Sequence, residues 1–211
     1  MPSWLASSQV FNALFLFRKL FLIKSKSGHY AQFAEDVAIG NIVGREFKGV
    51  FVDVGCFHPK KHRNTWRLYR QGWRGINIDI DEIKIRGFNI IRPKDTNVQC
   101  AGSDVAGEVN YWTDAFYSLT NSLSKDFADA RGGYVKSTTT CRRLTDIVDE
   151  SDYKDRKIDF LSVDAEGHDL NVIESLDFDR YAPRLIAVEA HYPTLELVQE
   201  TEIYQFLKRK G

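Results

Sequence analysis

Five short apolar runs punctuate the chain from residue 49 onward: "GVFVDVG", "GINIDI", "NVQCAGS", "KIDFLSVDAEG" and "PRLIAVEAHY". Consecutive apolar positions rich in Val and Ile read as strands that are dry on both faces. The lengths between most of them suit helical crossovers, so the pattern predicts an α/β domain with a mainly parallel sheet and helices on both faces. Between the third and fourth runs the pattern changes. "EVNYWTD" alternates apolar and polar residues and "YVKSTTTCRRL" is rich in β-branched ones, which predicts a small inserted antiparallel pair. The polar stretch between them, "FYSLTNSLSKDF", is expected as a loop near the sheet end, placed to act as a lid.

The amino end has a different pattern. In "VFNALFLFRKLFLIK", Phe11, Leu14, Phe15, Arg18 and Leu22 fall at helical spacings, and Phe17, Leu20 and Phe21 spread the apolar surface almost all round. The run is too short and too charged to span a membrane, and it lacks the basic region of a signal peptide. Two readings follow: a helix packed on the main domain or on a second copy of it, or an interfacial helix with Lys19, Lys24 and Lys26 near lipid phosphates. Residues 1–28 are therefore set apart as a helical segment, and residues 29–211 as the α/β domain. The ending "FLKRKG" leaves that domain shorter than expected, without a last pair of strands.

Composition changes the picture in two ways. The chain has 211 residues, enough for one sizeable core, and its 29 lysines and arginines balance 29 aspartates and glutamates, which removes the global basic field of a nucleic-acid binder. Cys56, Cys100 and Cys141 are far apart, odd in number and form no CxxC pair, which points to isolated core thiols in a reducing compartment. The expected location is cytoplasmic, with peripheral membrane contact as the alternative the amino-terminal helix leaves open.

Candidate chemistry gathers at the ends of the strand runs. Asp53, Asp79, Asp104, Asp164 with Glu166, and Glu189 with His191 all stand there, with Asp81 just past Asp79. Open parallel sheets bind ligands beyond the carboxyl ends of their strands, so a row of acids in that place predicts a site. The first turn lacks the GxGxxG of a dinucleotide fold, since only Gly55 is present before Cys56, Phe57 and His58, and no P-loop exists. An acid, one glycine for a close turn and a second acid one β-α-β unit later suit a ligand with a ribose and no phosphates. S-adenosylmethionine is such a ligand, with Asp79 on the ribose.

"FVDVGCFHP", "RNTWRLYRQGWRGINID", "IDFLSVDAEGHDLNVIESLDF" and "RLIAVEAHY", in this order, resemble the FkbM-type family of S-adenosylmethionine-dependent methyltransferases. The entry segment "YAQFAEDVAIG" carries Gln32, Glu35 and Asp36 in the family's "Q..ED" pattern. The resemblance implies a Rossmann-like class I methyltransferase fold and O-methylation of a carbohydrate, glycoconjugate or related metabolite. It implies cofactor contacts at Asp53, Gly55 and Asp79, the last replacing the family's usual glutamate. It also aligns Asn64 and Thr65 with the "NT" element, and brings Asp104 or Ser103 near adenine.

A sugar hydroxyl needs a base, and His191, His168, Asp164 and Glu166 are the candidates at the two strand ends facing the acceptor. A divalent metal on Asp164 and a neighbouring carboxylate, magnesium by its oxygen ligands, is a second route. The expected partner is a small-molecule or glycan acceptor rather than nucleic acid. The competing readings are a nucleotide-sugar or dinucleotide enzyme and a cofactor-binding interaction module without catalysis. The basic stretch "KKHRNTWRLYRQGWR" is expected to be mostly one helix with a solvated basic face, and Tyr153 with Lys157 to be a chance match to the dehydrogenase spacing.

Overall fold

A computed structural model of the chain describes residues 9–22, 30–31, 34–61, 64–190 and 192–211. In chain order the elements begin with helix α1 (Gln9–Phe17), which runs on as a π turn (Arg18–Leu22), α2 (Glu35–Val43), β1 (Val50–Val54), α3 (Thr65–Arg70), β2 (Arg74–Asp79) and α4 (Glu82–Ile91). They continue with β3 (Thr96–Gln99), β4 (Ala101–Gly102), β5 (Gly107–Thr113), α5 (Lys125–Arg131), β6 (Val135–Arg142) and α6 (Leu144–Asp149). The last are β7 (Phe160–Val163), α7 (Asp169–Glu174), α8 (Phe178–Tyr181), β8 (Leu185–Val188), α9 (Leu195–Gln199) and α10 (Glu202–Lys210).

The central sheet has the order β3-β2-β1-β7-β8 with every pair parallel. Every residue of β1 is buried because both neighbours and both faces cover it. Val52 and Val54 face Ile147, Val148 and Ile173 from α6 and α7, while Phe51 on the other face packs with Ile39, Leu68, Trp73 and Phe160. This is the doubly covered, Rossmann-like α/β sheet that the apolar runs predict. The chain works outward from β1 to β3, then returns to β7 on the other side of β1. The strand order reverses between β1 and β7, which opens a crevice at their carboxyl ends.

The inserted pair is present, with β5 and β6 antiparallel from Gly107 opposite Cys141 to Thr113 opposite Val135. The third apolar run differs from its expectation: it is two strands rather than one. β3 lies on the large sheet, Cys100 N donates to Asp79 O at 3.1 Å, and β4 then pairs with β6 in a separate three-stranded sheet. The basic stretch also needs correction. Its helix, α3, has six residues; Gly72, at φ 99°, ends it, and Trp73 is fully buried. The cations there are engaged, Arg67 Nε with Asp36 at 2.9 Å and Arg70 Nη1 with Tyr30 Oη at 2.6 Å. Tyr153 is core, its hydroxyl donating to Lys94 O at 3.1 Å.

Helix α1 packs against α4 through Leu16 and Leu20 on Ile83, with Phe15 against Phe116 and Tyr117. Among the described residues no helix is long and apolar enough to cross a membrane. The three cysteines are buried and none is in a disulfide.

Candidate active site

A cleft opens at the carboxyl ends of β1, β2 and β7, walled by Gly55, Asp79, Gly102, Asp164, Glu166 and His168. It encloses about 520 Å³ of space between atoms, counting the open mouth. On the first wall Val54 gives way to Gly55 at φ 72°, and the next two amides close the turn: Gly55 N and Cys56 N both donate to Ile78 O, at 2.9 and 3.1 Å. A Cβ on Gly55 would stand 1.9 Å from Asp164 O. Only a glycine lets the β1 turn lie this close to the loop after β7.

Asp79 closes β2 and is nearly buried. Its carboxylate accepts from Phe57 N at 3.0 Å, Asp81 N at 2.9 Å and the buried Lys84 Nζ at 3.3 Å. A carboxylate has about four acceptor positions, so these three donors hold Asp79 in one orientation and leave it capacity for one more. Asp81 caps α4 by accepting from Ile83 N, and burial, with Asp79 beside it, pushes its carboxyl up to about 6.

The facing wall is the loop after β7. Asp169 staples it by accepting from Ala165 N at 2.8 Å and Gly167 N at 3.3 Å. Glu166 stands between them at φ 50°, and Ser122 Oγ donates to its carbonyl at 2.6 Å. Burial, then the charges of Asp164 and Glu189, push the Glu166 carboxyl up to about 7. Asp164, Glu166 and Glu189 each offer an oxygen, all within 4.8 Å of one another. Three hard oxygen donors so close are the residues that could take a divalent cation.

His168 lies on the same wall. Ser103 Oγ donates to Asp104 Oδ1 at 2.8 Å and stands 2.7 Å from His168 Nε2, so Nε2 carries the hydrogen and Nδ1 is left as acceptor. Burial lowers the imidazole's pKa, which favours the neutral ring. Asn171 Nδ2 donates to Asp104 at 3.2 Å and completes the chain of bonds.

The expected lid lies over the mouth, with Leu119, Asn121 and Leu123 lining the cleft. It is tied down by Trp112 N to Ser122 O at 2.8 Å and Ser122 N to Trp112 O at 3.1 Å. Asn121 Oδ1 is buried with no hydrogen-bond partner. An unpaired buried acceptor of this kind costs about 1–3 kcal/mol until a donor reaches it.

The structure thus brings Gly55, Asp79, Asp164, Glu166 and His168 together at one cleft, with Ser103 and Asp104 behind His168. It does not bring Asp36, Asp53, Asn64 and Thr65 there. Asp53 lies within β1 on the face opposite Val54, fully buried, and accepts from Thr65 Oγ1 at 2.5 Å. Thr65 in turn accepts from Arg92 Nη1 at 2.9 Å, and Asn64 Nδ2 donates to Ser162 Oγ at 3.3 Å. These residues form a polar core beneath α3. Asp36 is buried against α3, where it pairs with Arg67 and accepts from Tyr30 N at 3.2 Å and Ala31 N at 3.3 Å. Gln32 and His191 lie outside the described residues.

Three contributors were given no role from the sequence. Lys84 carried no signal, being a lysine on an amphipathic helix. Asn121 was visible only as part of the polar loop. Glu189 stood in the row of strand-end acids but was not assigned a role.

The Methyltransferase FkbM domain model matches residues 53–211, a span that begins in β1 and contains every residue of the cleft. Among curated proteins and among solved structures, nothing matches the chain. The match covers most of the sequence and agrees with the sheet order and the cleft at its switch point. The chain belongs to the FkbM methyltransferase family and is a methyltransferase of Rossmann-like α/β fold.

Proposed function

We propose that the chain is an S-adenosylmethionine-dependent O-methyltransferase that acts on a hydroxyl of a carbohydrate, glycoconjugate or related metabolite. The observation that carries this reading is the cleft itself. A glycine turn too close to Asp164 for any Cβ, a strand-end acid oriented by three donors, and a carboxyl held near neutrality meet across one gap. The donor set fits the cofactor. Asp79 would take a ribose hydroxyl, Cys100 to Gly102 would flank the base, and the unpaired Asn121 oxygen awaits an N–H donor.

Bound there, the cofactor supplies a methyl group on a sulfonium centre. The chain's own residues do the rest. Glu166 takes the acceptor's proton on its carboxylate, which at about 7 is poised for that task. Leu119 and Leu123 keep water from the mouth. Beside Leu119 a second, open groove is lined by Asp114, Ser118, Thr120, Arg131 and Tyr134, polar groups suited to a hydroxyl-rich acceptor. Asp164, Glu166 and Glu189 would hold magnesium if the reaction uses it; activity that survives EDTA would assign the proton transfer to Glu166 without metal. Three buried thiols outside any disulfide suit a cytoplasmic location.

Calorimetric titration of S-adenosylmethionine, and separately of NAD, into the purified chain tests the reading. We expect S-adenosylmethionine alone to bind, and Asp79→Ala to weaken it roughly tenfold or more, the worth of a hydrogen bond to a charged group. Preference for NAD, or no binding of either, would overturn it.

A further inference from the structure

Helix α1 turns an apolar face to water. Asn12, Leu16 and Leu20 point inward, at 9%, 6% and 3% exposure, while Val10, Leu14, Phe17 and Phe21 on the outer face are 69%, 65%, 55% and 50% exposed. Spacings of four, three and four residues place these outer side chains in one stripe, extended by Leu22 and by Ile90 of α4. A contiguous apolar patch of this kind marks an interaction surface. Between α1 and α4 runs a groove with about 990 Å³ of space between atoms, counting its open side, bordered by Asn12, Phe17, Phe21, Arg86 and Ile90. In it Asn12 Oδ1 is buried with no hydrogen-bond partner.

Cations rim the stripe. Lys60 Nζ sits 4.8 Å over the Phe21 ring and donates to Leu20 O at 2.9 Å. Arg18 is exposed on the helix, and Lys61 lies close enough to Lys19 and Lys60 for their charges, after burial, to lower its pKa. Residues 9–22 contain no acid; the nearest acid on α4 is Glu82, 3.6 Å from Arg86.

We propose that α1, with Ile90, docks on an anionic lipid bilayer, its apolar stripe at the acyl boundary and Arg18, Lys60 and Lys61 at the phosphates. Charge decides between a bilayer and a second copy. A two-fold dimer through this face would bring cations toward their own images with no acid on the helix to meet them, whereas anionic lipid answers both the stripe and the cations. The docked helix would touch the cleft's lid, since the Phe15 ring meets Phe116 edge-on and Tyr117 at a tilt, with centroids 5.4 and 5.5 Å apart.

Co-sedimentation with vesicles of phosphatidylcholine alone and of phosphatidylcholine mixed with phosphatidylglycerol tests this, without any methyl donor, so its failure leaves the methyltransferase reading untouched. The full chain is expected to bind the mixed vesicles, and less so at high salt. Leu14→Ser with Phe17→Ser, both on exposed positions that leave packing intact, should abolish binding. Arg18→Gln with Lys61→Gln should weaken it roughly thirtyfold. No binding to the mixed vesicles, or binding indifferent to both pairs of substitutions, overturns the proposal. So does a dimer in sedimentation velocity that the Leu14 and Phe17 pair splits while vesicles bind nothing.

Discussion

Glu166 combines a left-handed backbone, φ 50°, with a carboxyl that burial and the charges of Asp164 and Glu189 hold up to about 7, against an ordinary 4.5. The consequences for stability and for rate run in opposite directions. Between those two values the folded chain keeps a proton that the unfolded chain has released, so this group's contribution to stability falls as pH rises through the window and is level above it. The basic form appears as pH passes about 7, so methyl transfer should rise there. We expect Glu166→Gln to flatten that rise and to cut kcat roughly 10²–10⁴-fold, with cofactor affinity unchanged. In urea denaturation the same variant should gain stability relative to wild type above pH 7 and lose that gain below pH 4.5. A variant gap that does not move with pH would show that the carboxyl titrates at its ordinary value. Asp53 shows the other fate of a strand-end acid. Its bond from Thr65 and burial on the far face make it a core group, and the period of two along β1 already carried that information: residues 53 and 54 must face opposite sides of the sheet.

Helix α1 shows how an element can be legible in sequence while its orientation is not. Apolar residues almost all round it announced a helix but could not choose between the face of residues 12, 16 and 20 and that of residues 14, 17 and 21. The buried face even includes the polar Asn12, so side-chain polarity pointed away from the answer. Packing on Ile83 and Tyr117 decided it. We therefore expect Leu16→Ala to cost about 2–5 kcal/mol of docking and Leu14→Ala almost nothing. Hydrogen exchange along residues 9–22 would read this directly, with faster exchange in the first variant alone. Strands β1, β2 and β7 were legible for the converse reason, since buried on both faces they have no orientation to choose. The third run was misread as a single strand because a change of sheet at Cys100 leaves no break in the apolar pattern. The basic stretch misled because its helix is only six residues long and its arginines have partners, Arg67 in Asp36, Arg70 in the Tyr30 hydroxyl and Arg74 in the Trp73 carbonyl.

At the scale of the whole molecule, the three thiols report on the integrity of the core. Cys56, Cys100 and Cys141 are 0%, 1% and 0% exposed, and burial pushes the Cys100 thiol up to about 12. A thiol that is both hidden and protonated is unreactive, so Ellman's reagent should modify none of them in the folded chain and all of them in urea, with the transition following global unfolding. A thiol that reacts under native conditions would expose a local opening at its strand. Cys100 also sits where one strand run passes from the large sheet to the small one, and Gly102, just past it, walls the cleft while belonging to the small sheet. The cleft is thus lined from both sheets: Gly55, Asp79 and Asp164 stand at strand ends of the large one, and Gly102 belongs to the small one. The insertion is then part of the vessel rather than an ornament: it supplies Gly102 and, from the loop between β5 and β6, Leu119, Asn121 and Leu123, so a shift of the small sheet against the large one would change the shape of the cleft.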